Sequence, residues 1–219
     1  MPFRCKLKWA SLCGLAILTV CVALGVMRNF DISATITLQK FALDIFDRLS
    51  LFFTIIGSGE ITGIIVAAVS LWLYFTGRKK SAFYLLLFFA SSVAIELIMK
   101  FLVPQPKVFP EFKRGLKIPV AIYSPFTPFA YPSGHATRTV ILAIIFNYLA
   151  SDSISFKRYV PALKFVIFTG ALLMLVSRIY DGSHWCCDVI GGICLGSYLA
   201  LNTLEKFDLD KAATGSSKN

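Results

Sequence analysis

Hydrophobic positions along this chain gather into six long runs, at roughly 9–27, 51–76, 81–103, 135–150, 160–177 and 185–203. A helix needs about 20 apolar residues to cross a hydrocarbon core of about 30 Å, and shorter runs are tolerated. Backbone polar groups cannot stay unpaired in lipid, so runs of this kind are read as helices. Residues 31–49 pattern differently. Ile32, Ile36, Phe41, Ile45 and Leu49 recur at helical spacing, while Asp31, Lys40, Asp44, Asp47 and Arg48 fall elsewhere on the wheel. That spacing predicts an amphipathic helix lying in the membrane interface. The fold class expected is therefore all-α: a six-span transmembrane helical bundle with an interfacial amphipathic helix, one integral membrane domain over 1–219.

Local signals refine this picture. Arg4, Lys6 and Lys8 before the first run, and Ala23-Leu24-Gly25 after it, resemble a signal peptide. The run is long for a signal core, so it is read as a retained span. Gly59-x-x-x-Gly63 and Gly192-x-x-x-Gly196 offer close helix contact, and Glu60 is expected near a membrane surface. The polar stretch 103–131 holds Pro104, Pro106, Pro110, Pro119, Pro125 and Pro128, which exclude a long helix. It also carries Lys107, Lys113, Arg114 and Lys117 against Glu111. The tail from Asp208 to Asn219 is polar and expected to fray.

Composition supports the membrane reading. Hydrophobic residues make up 57% of the chain and charged residues 16%, and mean hydropathy is +0.72. Disordered, collagen-like and ordinary cytosolic chains are excluded. A net charge of +10 on so apolar a chain favours membrane lipids and phosphate as partners over nucleic acid. The six cysteines sit in or beside apolar runs and are expected as buried free thiols. With two histidines and no C-x-x-C pattern, neither a metal nor a cofactor is expected. Oligomeric state is not legible.

Alternating the spans places the end of the third (Lys100), the start of the fourth (His135), the end of the fifth (Arg178) and the start of the sixth (His184, Asp188) on one membrane side. Converging ionisable groups at membrane depth mark a functional site. The other side holds Arg4, Lys6, Lys8, Arg78-Lys79-Lys80 and Lys157-Arg158, so the positive-inside rule makes it cytoplasmic. The site is then expected to face the periplasm or the outside.

Pro132-Ser133-Gly134-His135 opens the fourth helix. Ser133 is a good N-cap, and exposed N–H groups beside Gly134 attract anions. His184 and Asp188 stand four apart, so the carboxylate can hold one imidazole nitrogen and leave the other free. Arg178 offers a planar fork to phosphate oxygens. Lys100 has three readings: a phosphate ligand, a side chain snorkelling to the interface, or a partner of Glu96. Arg138 either reaches the phosphate or snorkels. Phe126 to Tyr131 either line a lateral path for acyl or prenyl chains or form an aromatic belt.

These motifs resemble the type 2 phosphatidic acid phosphatase superfamily, with its pattern K-x6-R-P, P-S-G-H and S-R-x5-H-x3-D. Here Pro132-Ser133-Gly134-His135 and Ser177-Arg178, His184, Asp188 match fully. The first motif is degraded, with Lys107 for Arg and Val108 for Pro. The resemblance implies a metal-independent lipid phosphatase. It implies His184 as nucleophile forming a phosphohistidine, Asp188 as its orienter and His135 as general acid and base. Lys100, Lys107, Ser133, Gly134 and Arg178 are implied as phosphate-binding groups. Implied substrates are undecaprenyl diphosphate, phosphatidylglycerophosphate or phosphatidic acid, at the outer face of a bacterial inner membrane. A non-catalytic lipid-phosphate binder is the competing class, and a small transporter a third.

Overall fold

The computed structural model describes residues 2–41, 43–114, 126–152 and 157–215. They form eight α-helices: α1 (Pro2–Ala23), α2 (Arg28–Gln39), α3 (Asp44–Ile56), α4 (Gly59–Phe75), α5 (Lys79–Leu102), α6 (Gly134–Asp152), α7 (Val160–Tyr180) and α8 (Cys186–Gly215). Lys117, Pro119 and Pro125 lie outside the described residues, as does the end of the tail.

Four helices are long and apolar enough to cross a membrane: α1, α5, α7 and α8. The run expected as one span over 51–76 is instead two helices, α3 and α4, meeting at 52°; together they make a fifth candidate. Gly57-Ser58-Gly59 explains the break. Ser58 leaves helical geometry and its Oγ accepts from the Ile61 N–H at 3.2 Å, which starts α4 afresh. The fourth expected run is also a helix, α6, but His135, Arg138, Asn147 and Asp152 keep it out of the group apolar enough to cross by composition.

The amphipathic helix expected over 31–49 is corrected in two ways. It is divided between α2 and α3, and Asp31, expected on its polar side, is buried while Lys40, Asp44 and Arg48 stay exposed. Ile36, Phe41, Ile45 and Leu49 face outward, while Asp31 is only 2% exposed. The reason is a tertiary cap. Asp31 Oδ1 accepts from the Cys187 N–H at 2.8 Å, serving an orphan donor of the first turn of α8, and Oδ2 accepts from Gln105 Nε2 at 2.9 Å. One carboxylate thus ties α2 to α8 and to the loop after α5.

The hub is α8. About 67% of its apolar window is buried, against 11% for α1 and α7 and 22% for α5. It packs on α6, α1 and α5 around Val22, Val66, Leu73, Leu85, Ile141, Leu195 and Phe207. Gly192 and Gly196 let α8 lie directly on the first turns of α6, where added Cβ atoms would meet Ser133 O at 2.5 Å and Thr137 O at 2.5 Å. Gly63 faces open space, so the first of the two glycine pairs has no such role. Outward surfaces are apolar, with Trp9, Ile64, Trp72, Phe83, Leu102 and Phe165 exposed, as lipid contact requires. All six cysteines are free thiols, but only Cys187 is buried; Cys5 and Cys13 sit on the outward face of α1.

The two ends of the bundle differ. At one end Arg4 pairs with Asp208 at 3.0 Å, Lys8 with Glu205 at 2.7 Å and Arg78 with Asp152 at 3.3 Å. These pairs join α1, the α4–α5 turn, α6 and α8 on the side where the basic clusters were expected. The opposite end gathers the motif residues.

Candidate active site

Helix α6 begins where Ser133 caps it. Ser133 Oγ accepts from the Ala136 N–H at 3.3 Å, and the Ser133 N–H donates to the Asp188 carbonyl at 2.9 Å. The α6 start is thereby fixed to the first turn of α8. Gly134 and His135 follow as the first helical residues, as the P-S-G-H spacing predicted.

The loop between α7 and α8 carries His184. Its backbone hangs from the end of α7, with the Ser183 and His184 N–H groups donating to the Arg178 carbonyl at 3.2 and 3.0 Å. Gly182 makes the turn possible: its φ is +67°, and a Cβ there would collide with the Phe112 carbonyl. His184 Nδ1 lies 3.3 Å from Asp188 Oδ2, which also accepts from the Trp185 N–H at 3.0 Å. A carboxylate only accepts, so Nδ1 carries the proton and Nε2 keeps its lone pair. Burial, then the Lys100 and Arg178 charges, push His184 down to about 3. The ring is therefore neutral at pH 7, with its free lone pair on Nε2.

That shift sets a pH dependence. The unfolded ring binds protons near its ordinary value of 6.5, and the folded ring resists them, so its stabilising contribution is present above pH 6.5 and is lost as pH falls toward the folded value. Detergent-solubilised protein is expected to lose melting temperature from pH 7 to pH 5. In His184→Asn the loss should be smaller, because no imidazole then has to stay neutral. Equal slopes in the two proteins contradict the assignment.

Arg178 is fully buried. Its Nη2 donates to the Ser50 carbonyl at 2.9 Å and stands 3.0 Å from Asp181 Oδ2, and both Nη2 and Nε reach Ser177 Oγ. Its Nη1 is buried and has no hydrogen-bond partner among the described residues. Asp188 Oδ1 is also buried and unpartnered there. An unsatisfied guanidinium donor in such a place is costly unless a ligand completes it.

His135 is held by the break between α3 and α4. Its Nε2 lies 3.3 Å from the Thr54 carbonyl, which only accepts, so Nε2 donates and Nδ1 is left for proton exchange. A Cβ on Gly57 would crowd Met174 and the His135 ring. Arg178, Arg138 and His184 are all within electrostatic reach of this ring.

Lys100 is 5% exposed, so it does not snorkel; its Nζ donates to Glu96 Oε1 at 2.7 Å, and its charge acts on His184. Arg138 is 2% exposed and donates to Glu96 Oε2 at 2.8 Å, so it does not snorkel either. Lys107 is solvent-exposed, yet partial desolvation and then the Lys100 and Lys113 charges push its ammonium down, which places it at the mouth of the same cluster. Two acids were passed over in the sequence as site residues. Glu96 reads only as a possible partner of Lys100, and the motifs give Asp181 no role. Their positions four residues before Lys100 and three after Arg178 were the signals available.

The segment 103–114 covers this end. Trp185 Nε1 donates to the Pro106 carbonyl at 2.8 Å, the Arg114 N–H to the Asp181 carbonyl at 2.9 Å, and Gln39 Nε2 to the Phe112 carbonyl at 2.6 Å. Of the aromatic stretch after it, Phe126 is exposed, but Tyr131 is wholly buried against Gly191 with its hydroxyl 3.1 Å from Thr19 Oγ1. Tyr131 is a core residue and lines no lateral path. A largely apolar cavity of about 220 Å³ lies elsewhere, between α3, α4, α6 and α7, lined by Phe53, Ile56, Gly57, Leu142, Phe146 and Met174. Gly57 and Met174 are also the neighbours of His135, so the cavity adjoins the imidazole.

The family model of the PAP2 superfamily matches residues 81–208, more than half of the chain and all of the motif-bearing helices. The chain belongs to the PAP2 superfamily. A relative from Sulfolobus acidocaldarius, an undecaprenyl-diphosphatase, is 24% identical over 142 residues, 64% of this chain. The aligned region spans 62% of that relative's length. Among solved structures, a transmembrane PAP2-type phosphatidylglycerolphosphate phosphatase from Bacillus subtilis shares the fold, with a TM-score of 0.75 at 17% identity. That match covers 92% of this chain and 95% of the other. The PAP2 fold is thus a transmembrane helical one here, as the four or five apolar crossings indicate.

Proposed function

We propose that this protein is a metal-independent lipid phosphatase of the membrane, a single domain over 1–219 crossing six times, with α6 as the polar-lined fourth crossing. The observation that carries the reading is the meeting of a neutral, carboxylate-held His184 with buried Arg178, whose Nη1 lacks a partner among the described residues. In the proposed reaction His184 Nε2 attacks phosphorus, the P–N bond forms and the bond to the lipid oxygen breaks. That oxygen takes the Nδ1 proton of His135, which enters the reaction as an imidazolium with Nε2–H still on the Thr54 carbonyl. Water then attacks the phosphohistidine while His135 takes its proton, the P–N bond breaks and inorganic phosphate leaves. Asp188 steadies the charge on the His184 ring. Lys100, Lys107, Arg178, Ser133 and the Gly134 N–H hold the phosphoryl oxygens, since phosphoryl transfer depends mainly on positioning and charge stabilisation.

Membership in PAP2 and the relatives' names support a lipid phosphate or diphosphate as substrate: undecaprenyl diphosphate, phosphatidylglycerophosphate or phosphatidic acid. The cavity beside His135 suits the first part of an acyl or prenyl chain. The basic clusters at the far end of the bundle support, by the positive-inside rule, an orientation with the site at the outer face of the cell membrane.

Purified protein in detergent with EDTA is expected to release phosphate from at least one of the three lipids, and the ranking of their kcat/KM values names the substrate. Affinity for the lipids without any release would make the protein a binder instead.

A further inference from the structure

The anion site at the start of α6 already faces a carboxylate of the protein's own. Glu96 rises from the last turns of α5 and is 1% exposed. Its two oxygens take Lys100 Nζ at 2.7 Å and Arg138 Nη1 at 2.8 Å, and both oxygens lie against Gly134, where a Cβ would collide with them. Its charge also acts on His184. A buried carboxylate is tolerated only when paired, and here the pairing uses a cation that the phosphate also needs. The contrast with Arg178 is informative. Arg178 has its own acid, Asp181, yet keeps the Nη1 donor unsatisfied among the described residues.

We propose that Glu96 is a built-in competing anion of the phosphate pocket. In the unliganded protein its carboxylate fills the corner between Gly134, Lys100 and Arg138. An arriving phosphoryl group takes Lys100 from it, and Glu96 stays on Arg138. Glu96 is thus a positioning residue that acts through Lys100. The benefit lies in turnover. A pocket of Lys100, Lys107, Arg138 and Arg178 without an internal acid would hold substrate and product phosphate tightly and uniformly, and uniform binding does not accelerate the chemical step. Glu96 lowers ground-state affinity and helps inorganic phosphate to leave. This inference rests on the phosphatase reading of the same pocket.

The test is calorimetric titration of the full-length protein in detergent with inorganic phosphate and with orthovanadate, alongside lipid-phosphate kinetics. Glu96→Gln keeps the shape and removes the charge, and is expected to bind both anions about tenfold more tightly, as removal of one close like charge from a partly buried site implies. KM should fall by a similar factor, and kcat should fall as phosphate release becomes slow, with a burst in the first turnover. Glu96→Asp keeps the charge but withdraws it from the corner, and is expected to give an intermediate tightening of about threefold. Weaker or unchanged anion binding by folded Glu96→Gln overturns the proposal, since a purely structural role predicts disordered cations and lost affinity. If Glu96→Gln does not fold, Glu96→Asp decides alone by the same sign. Tighter anion binding by the variants with no lipid hydrolysis by the wild-type protein would leave this inference standing and remove the phosphatase reading.

Discussion

Protein carrying His184→Ala is expected to release phosphate from lipid substrates at least about a thousandfold more slowly than wild type, the scale on which loss of an attacking nucleophile registers. Two imidazoles serve the pocket, and they are held in opposite ways. His184 gives Nδ1 to Asp188 and keeps Nε2. His135 gives Nε2 to the Thr54 carbonyl and is backed by Gly57 and Met174. With His184 removed, the residue best placed for proton transfer remains, but nothing in line takes its role at phosphorus. His135→Ala should be milder, about a hundredfold, because water and bulk buffer partly replace a general acid. A short incubation with labelled substrate, quenched in alkali, should trap acid-labile phosphoprotein in wild type and none in His184→Ala. Robust turnover by His184→Ala would defeat the nucleophile assignment.

The sequence was informative where one physical rule governed each residue. Lipid demands helices and an apolar exterior, so five of the six runs could be read as helices directly, and the parity of the spans brought Lys100, His135, Arg178, His184 and Asp188 to one end. The structure indeed gathers them there. Hydrophobicity alone failed where a local break or a distant partner decided. Gly57-Ser58-Gly59 divides one apolar run at 52° because a cap competes with helix continuation, and average hydropathy does not register that. Asp31 looked like the solvent side of an interfacial helix. It is instead the cap of a helix that starts more than 150 residues later, and no period-3.6 pattern encodes such a partner. Glu96 and Arg138 were each visible, but their pairing joins α5 to α6 and depends on how Gly192 and Gly196 let α6 settle on α8. Tyr131 differs in the opposite sense: an aromatic near the membrane surface reads as lining a lipid path or joining an aromatic belt, yet Gly191 and Thr19 make it a core side chain.

Gly134→Ala should also cost much activity, by a different route from loss of the His184 imidazole. A Cβ at this position meets the Glu96 carboxylate itself, not the end of a mobile chain, because both oxygens are held by Lys100 and Arg138. Three groups must then shift together, and all three belong to the anion corner. Overpacking of this kind typically costs about 1–3 kcal/mol of stability. The effect on activity is expected to be larger, about a hundredfold or more, because displacing a phosphate ligand by about 1 Å already costs that much. Melting temperature and kcat/KM measured on the same preparation separate the two costs. Pairing Gly134→Ala with Glu96→Asp, which withdraws the colliding carboxylate and keeps its charge, should restore most of the lost stability but little of the activity, since the added Cβ still stands where a phosphoryl oxygen must approach the backbone N–H. A double variant no more stable than Gly134→Ala alone would show that the glycine is required for a reason other than its contact with Glu96.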